Sequence, residues 1–320
     1  MGKYLLDNIH AEFPQARLGI VVASRGAMIR DLLAASPYIE VIEANRKNMS
    51  GLWRLWKAFR GSDLVVTQYA GKEGGKFSLS SKLAARVLAR RGGLVGFRDA
   101  SRFNVIYDHT IGFDRSEAPA ALERRALNTV GVPIVLDHPT LSYIHNDNTL
   151  KKFDVEKKKY ILAHLFSSGK GRGLSPEKKR ELLQALATCL PNLSIVLTGV
   201  EKEKLELEEA AQGLTARVIA GQTSLQEMMN LMVGSAGAVA VDTGAAHIAA
   251  QLGVPLVVLS SCLGIHWWGS EQYGSSAPIT VFRNAQACAG GHVLADYPPC
   301  INGINMREVA SRASQLFITR

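Results

Sequence analysis

Residues 237–261 (Gly-Ala-Val-Ala-Val-Asp-Thr-Gly-Ala-Ala-His-Ile-Ala-Ala-Gln-Leu-Gly-Val-Pro-Leu-Val-Val-Leu-Ser-Ser) leave the chain little choice of fold. Residues 238–241 are an apolar run of strand length, and Asp242, Thr243 and Gly244 form a turn with helix-capping side chains. Residues 245–252 are alanine-rich and favour helix. Gly253 stands where a helix C-terminus wants positive φ, Pro255 forbids continuation, and residues 256–259 begin a second buried strand. Strand, tight turn, short helix, strand is the βαβ unit of a parallel sheet. Free N–H groups at the helix start favour an anion such as a phosphate. His247, four residues after Thr243, shares that helix face and can point at the same anion. Taken singly, Asp242 reads as a cap and His247 as a packed or solvated residue. Together they close the carboxyl end of a buried strand, where open α/β sheets put ligands.

Composition bounds the rest. With 320 residues there is length for two domains, and 47% hydrophobic with 20% charged residues is a globular composition. No window approaches about 18 consecutive apolar residues, so no membrane span is expected. The N-terminus lacks the layout of a secretory signal, so a cytoplasmic location is the expectation. A formal charge of +9 calls for an acidic partner: a nucleotide, a phosphorylated glycan, an anionic membrane surface or nucleic acid. Nucleic acid is disfavoured, because no binding motif or aromatic platform interleaved with basic residues is present. Peripheral contact with anionic lipid is open, since Trp53, Trp56 and Phe59 share a segment with Arg54, Lys57 and Arg60. The four cysteines (Cys189, Cys262, Cys288, Cys300) are widely spaced with no Cys-x-x-Cys pair, and read as structural thiols rather than a zinc site or disulfide framework.

Along the chain, residues 4–13 read as a helix ended by Pro14, and residues 17–23 as a buried parallel strand. Helices over 28–35, 52–60 and 79–91 alternate with strands over 41–42, 62–67 and 94–97. Periodicity weakens after Asp99, a helix spans 118–130, and residues 139–154 look like a polar connector. A second alternating series begins with a strand over 160–166, followed by the glycine-rich basic loop Ser-Ser-Gly-Lys-Gly-Arg-Gly (167–173). Ser175 and Pro176 then open a helix. Strands over 194–197 and 216–219 and helices over 201–212 and 224–232 lead back to the central unit. This is an α/β chain whose first domain lacks an opening strand ahead of its first helix.

Asp-Thr-Gly-x-x-His-x-Ala-x-x-Leu-Gly-x-Pro, running from Asp242 to Pro255, resembles the signature of glycosyltransferase family 9, which contains the ADP-heptose:lipopolysaccharide heptosyltransferases. Phe13-Pro14 and Pro37-Tyr38 match landmarks after that family's first helix. The resemblance implies the GT-B plan: two Rossmann-like domains facing across a cleft. Residues 1–153 would be the acceptor-side domain and 154–305 the nucleotide-sugar-binding domain. Residues 306–320 would form a C-terminal helix returning toward the first domain. It implies an inverting, metal-independent transfer, with heptose from ADP-heptose as donor and lipopolysaccharide core or a related glycan as acceptor. A non-catalytic nucleotide-sugar binder and a transferase using another nucleotide hexose are the alternatives.

Glycosyl transfer from a nucleotide sugar must stabilise a leaving diphosphate, hold base and ribose, and deprotonate the acceptor. Lys170 and Arg172 can neutralise phosphate oxygens, while Thr243, Gly244 and the helix start can donate hydrogen bonds to them. The Lys170 loop is similar to the family's donor-phosphate lysine segment. Glu203, or failing it Glu201, matches the family's acidic residue for the ribose hydroxyls, and Thr223 or Ser224 caps a helix beside the base. Asp242 can bind the sugar or orient the turn. With these groups on the phosphates no metal is required, no Asp-x-Asp is present, and no cofactor is expected. In the family the catalytic carboxylate sits on a loop before the first helix. Asp7 and His10, within that helix, are poor substitutes, and the catalytic base stays unassigned. Trp267, Trp268 and Tyr273 either wall the cleft or pack between domains, and Cys288 and Cys300 resemble a cysteine-bearing tail common in the family and read as structural.

Overall fold

A computed structural model describes residues 2–318 apart from 46, 68–76, 115, 168–170, 263–264, 276, 289–290 and 292–294. The chain divides into two compact units, Met1–Pro139 and Thr140–Arg320.

The first unit opens on α1 (Lys3–Glu12) and alternates through β1 (Leu18–Val22), α2 (Gly26–Leu32), β2 (Ile39–Glu43), α3 (Met49–Phe59), β3 (Val65–Val66), α4 (Leu79–Leu88) and β4 (Leu94–Phe97). β5 (His109–Ile111) and α5 (Pro119–Thr129) complete it. Its strands pair parallel in two sheets, β1-β2 and β3-β4-β5. The start of α1 is held from outside the helix: the buried Glu123 carboxylate accepts the N–H groups of Gly2 (2.6 Å) and Leu5 (3.0 Å). That places a carboxylate on the positive end of the helix dipole. Leu5 and Ile9 then share a core with Leu18, Val95, Phe97 and Leu127.

The unit also buries an ion pair. Lys82, with no exposed side-chain surface, spends its ammonium on Asp99 (3.0 Å), Ser101 (2.9 Å) and Asn104 (3.1 Å). Burial pushes the Asp99 carboxyl upward. The Lys82 bond and the N–H groups of Phe77 and Ser101 outweigh it, bringing the pKa down to about 2.

The second unit runs α6 (Asn148–Lys152), β6 (Tyr160–His164), α7 (Pro176–Cys189), β7 (Ser194–Thr198), α8 (Lys204–Ala211), β8 (Ala216–Val218), α9 (Leu225–Gly234) and β9 (Gly237–Val241). It continues with α10 (Gly244–Gln251), β10 (Leu256–Leu259), α11 (Ser270–Tyr273), β11 (Ile279–Phe282), α12 (Pro299–Asn302) and α13 (Met306–Ile318). One parallel sheet results, ordered β11-β10-β9-β6-β7-β8. Residue alternation sorts its two faces. Ile161, Ala163, Val239 and Val241 face a core with α7 and α13, while Leu162, Ala238 and Ala240 face one with α9 and α10. The small β9 residues on that second face meet Ala245, Ala246, Ala249 and Ala250, so α10 lies close on the sheet.

The connector expected over 139–154 goes with this unit. Leu141 N–H donates to the Gln251 carbonyl, and the Asn230 side chain bonds the backbone of Ile144 and Asn146. The last helix, expected to return toward the first domain, has its apolar face in this unit's core through Met306, Val309, Ala310, Ala313 and Phe317. Phe317 lies so close over β9 that a Cβ on Gly237 would come within 2.2 Å of its ring.

Candidate active site

In the second unit the chain lays down β6 first, adds β7 and β8 on one side, then crosses to add β9, β10 and β11 on the other. The switch point of this doubly wound sheet therefore falls between β6 and β9, paired in register from Ile161↔Gly237 to His164↔Ala240. Ligands of such sheets bind beyond the carboxyl ends of the strands at this crevice. The loop after β6 carries Arg172, and the turn after β9 carries Asp242 and Thr243.

Asp242 is buried, and both its carboxylate oxygens lack a hydrogen-bond partner. Among the described residues, the Arg172 guanidinium lies 3.6 Å and His247 Nε2 3.5 Å from it, each at the edge of ion-pair range. An orphaned buried carboxylate is costly in a native fold unless a further group completes it. His247 is fixed by aromatics. It stacks on Trp268 (centroids 4.4 Å apart, planes 7° apart), and its Nδ1 is hydrogen-bonded to the Tyr273 hydroxyl. Burial, and then the Asp242 charge, raise the Tyr273 pKa. With Nδ1 engaged by Tyr273, Nε2 is the ring nitrogen on the side of Asp242. Trp268 and Tyr273 are buried in the α9/α10 core and pack behind His247; Trp268 Nε1 is a further buried polar atom without a partner.

Thr243 is the N-cap residue of α10 in extended conformation. Its hydroxyl turns back to the Val241 carbonyl (3.1 Å) and caps nothing, so the first amides of the helix have no side-chain cap. Gly244 is exposed, and a Cβ there would meet nothing within 4 Å. The helix start is thus an open seat of N–H donors beside Arg172 and His247, a setting that suits an anion.

Of the residues singled out from sequence, Arg172, Asp242 and His247 come together, with Thr243 and Gly244 at the adjoining turn. Lys170 lies outside the described residues, as does the side chain of His266. Glu203 stands at the carboxyl end of β7, one strand over, where Oε2 accepts the Val200 N–H (2.9 Å) and closes the 3-10 turn Glu201–Glu203. Ser224, not Thr223, caps α9, in a reciprocal box with Glu227. Asp7 pairs with Lys3 (2.5 Å) and accepts from Tyr38 (2.8 Å), and His10 stacks on Tyr38. Both residues thus have structural work.

Sequence reasoning passed over His164. It ends β6 at the switch point, with Nδ1 3.1 Å from the Thr198 hydroxyl, and burial pulls its pKa down to about 4. A histidine closing an apolar strand just before a glycine-rich loop was the available signal.

No curated protein matches the chain in sequence. The structural likeness is broad. A family 9 glycosyl transferase from Veillonella parvula superposes with TM-score 0.75 at 14% identity, over 100% of this chain and 93% of that one. The E. coli ADP-heptose lipopolysaccharide heptosyltransferase II gives 0.70 at 19% identity, over 99% and 94%. E. coli heptosyltransferase WaaC, solved with ADP, gives 0.64 at 17%, over 87% of each chain. These likenesses establish the fold as α/β of the GT-B type. Residues 79–261, more than half of the chain, match the sequence profile of glycosyltransferase family 9 (heptosyltransferase), and to that family of sugar-transferring enzymes the chain belongs.

Proposed function

We propose that the protein transfers heptose from ADP-heptose to a lipopolysaccharide core or related glycan, with inversion and without a catalytic metal. The observation that carries the reading is the group at the β6/β9 switch point: an uncapped helix start flanked by Arg172 and His247 around the buried Asp242. In this reading the diphosphate rests on the first amides of α10, and Arg172 and Lys170 neutralise its oxygens as charge builds on the leaving group. Thr243 and Gly244 shape the seat, His247 is held toward Asp242 by Tyr273 and Trp268, and Glu203 offers its remaining carboxylate oxygen to the ribose. Cationic side chains and fixed dipoles supply the stabilisation a divalent ion gives elsewhere. Adenine as the base is supported by relatives whose structures hold ADP or ADP-2-deoxy-2-fluoro heptose.

The acceptor is membrane-borne in this reading, placing the protein on the cytoplasmic side of the inner membrane. Helix α3 supports such contact: Met49, Trp53 and Trp56 are exposed, with Lys57 over the Trp53 ring (5.2 Å) and Arg60 over Trp56 (4.6 Å). Among the described residues no helix is long and apolar enough to cross a membrane.

Titration calorimetry with ADP-heptose, ADP and a UDP-hexose, paired with a transfer assay on heptose-deficient lipopolysaccharide, tests the proposal. Preferential binding of ADP-heptose with heptose transfer is the expected result. Binding without transfer makes the protein a nucleotide-sugar binder, and preference for the UDP-sugar overturns the donor. Lys170→Ala should weaken donor binding; unchanged affinity removes it from the seat. Sedimentation with anionic vesicles should fall for Trp53→Ala/Trp56→Ala and stay low with neutral vesicles. Equal binding to both vesicle types refutes the surface.

A further inference from the structure

Three cysteines far apart in sequence meet in space. Cys262 follows β10, Cys288 ends the 3-10 turn Ala285–Cys288 after β11, and Cys300 lies in the first turn of α12. Their sulfurs all lie within 4.8 Å of one another, Cys300 being fully buried and the other two half-buried. None is in a disulfide. The backbone around them is tied together: Ser260 N–H donates to the Phe282 carbonyl (2.9 Å), Asn284 N–H to that of Cys300 (3.0 Å), and Gly291 N–H to that of Cys288 (2.9 Å). The sulfur positions therefore follow from three anchored segments rather than from one flexible loop. Read from their spacing as structural thiols rather than a zinc site or disulfide framework, they form one cluster.

A group of three thiols is a poor way to fill space, because each is only a weak hydrogen-bond donor and acceptor. It is a good way to hold a soft cation. Sulfurs bonded to one zinc at about 2.3 Å lie about 3.8 Å apart at tetrahedral angles, inside the 4.8 Å within which all three lie here. A disulfide needs about 2.05 Å between two of them and leaves the third out. We propose that Cys262, Cys288 and Cys300 bind one thiophilic divalent transition-metal ion, with zinc as the reference ion, as a structural clasp on the loops after β10 and β11. The trio supplies three of the four vertices of a tetrahedron. Binding replaces three S–H bonds with three metal–sulfur bonds and releases three protons, with no change in oxidation state.

The clasp adjoins the loop after β6 that carries Arg172, since Gly171 N–H donates to the Ala295 carbonyl (3.0 Å) and the Asn302 side chain to the Gly173 carbonyl (3.0 Å). Its effect is mechanical, since the segment leaving Cys262 leads to Trp268, which backs His247.

The test uses the full chain. Metal is removed with a chelator under reducing conditions, and zinc is then titrated against a chromophoric competitor. Metal content is read by mass spectrometry and thermal unfolding followed with and without zinc. The expected result is one zinc per chain, a rise in Tm on binding, and sulfur-to-metal charge-transfer absorption when cobalt(II) replaces zinc. Cys262→Ser and Cys288→Ser should each bind zinc at least about 100-fold more weakly, with Cys189→Ser unchanged. Wild-type protein that is folded and fully reduced yet takes up less than about a tenth of an equivalent overturns the proposal. So does uptake that Cys262→Ser and Cys288→Ser leave unchanged. Should the variants fail to fold, the chelation and re-addition series on the wild type still decides.

Discussion

Gly244 shows how a single residue can separate binding from folding. A side chain there would meet no protein atom within 4 Å, yet it would project from the first residue of α10 into the space assigned to the donor's phosphates. Gly244→Val should leave the unfolding midpoint within about 2 °C of wild type while weakening ADP-heptose binding at least about tenfold. Calorimetry beside a thermal melt reads both, and unchanged affinity would move the phosphate elsewhere. Arg172→Ala removes a charge-assisted contact and should cost about 1.5–3 kcal/mol of donor affinity, again by calorimetry.

His164 offers a pH signature of its own. With its folded pKa lowered from 6.5 to about 4, the unfolded chain binds the extra proton between those values. Stability from this group is therefore complete above about pH 6.5 and declines as pH falls toward 4, by no more than about 3 kcal/mol. Urea midpoints measured from pH 7 to 4 should show the decline, and His164→Gln should flatten that part of the curve.

At the scale of elements, β9 and its neighbours were the most legible part of the chain. Alternating faces, an abrupt polar turn and a glycine-proline stop all follow from local chemistry, and the strand, turn and α10 lie where those signals put them. β5, α6 and β11 were less legible. β5 spans only three residues and α6 only five, while β11 is an edge strand whose residues are all half-buried. Periodicity cannot speak over so few positions. The site was legible in part for a related reason: spacing along α10 joined Asp242, Thr243 and His247, whereas His164 joins them through the sheet and Tyr273 through packing of α11.

Packing at this scale is tight enough to test. Gly237→Ala would drive a methyl into the Phe317 ring and should destabilise the protein by about 1–3 kcal/mol, seen as a lower urea midpoint. The double variant Gly237→Ala/Phe317→Leu should recover part of that loss, and failure to recover any would mean the clash is relieved some other way.

For the molecule as a whole, the first unit carries its charge inside as well as on its surface. Lys82 and Asp99 satisfy each other in a core position, so removing one partner strands the other. Lys82→Met should cost about 3–5 kcal/mol, measured by denaturant unfolding. Since the Asp99 pKa is depressed, its share of stability is present above about pH 4 and is lost as pH falls toward 2. The acid limb should thus have two stages, His164 first and Asp99 below it.

The alanines of α10 bring its backbone down onto β9, and its opening peptide groups rather than side chains form the proposed anion seat. A receptor made of peptide groups is inherited through the route of the chain and not through its letters. Substitutions can accumulate around it without erasing it, provided they keep the helix low on the strand. Structures sharing only 14–19% of their residues with this chain superpose over most of it, so the chain's route persists where its residues have changed.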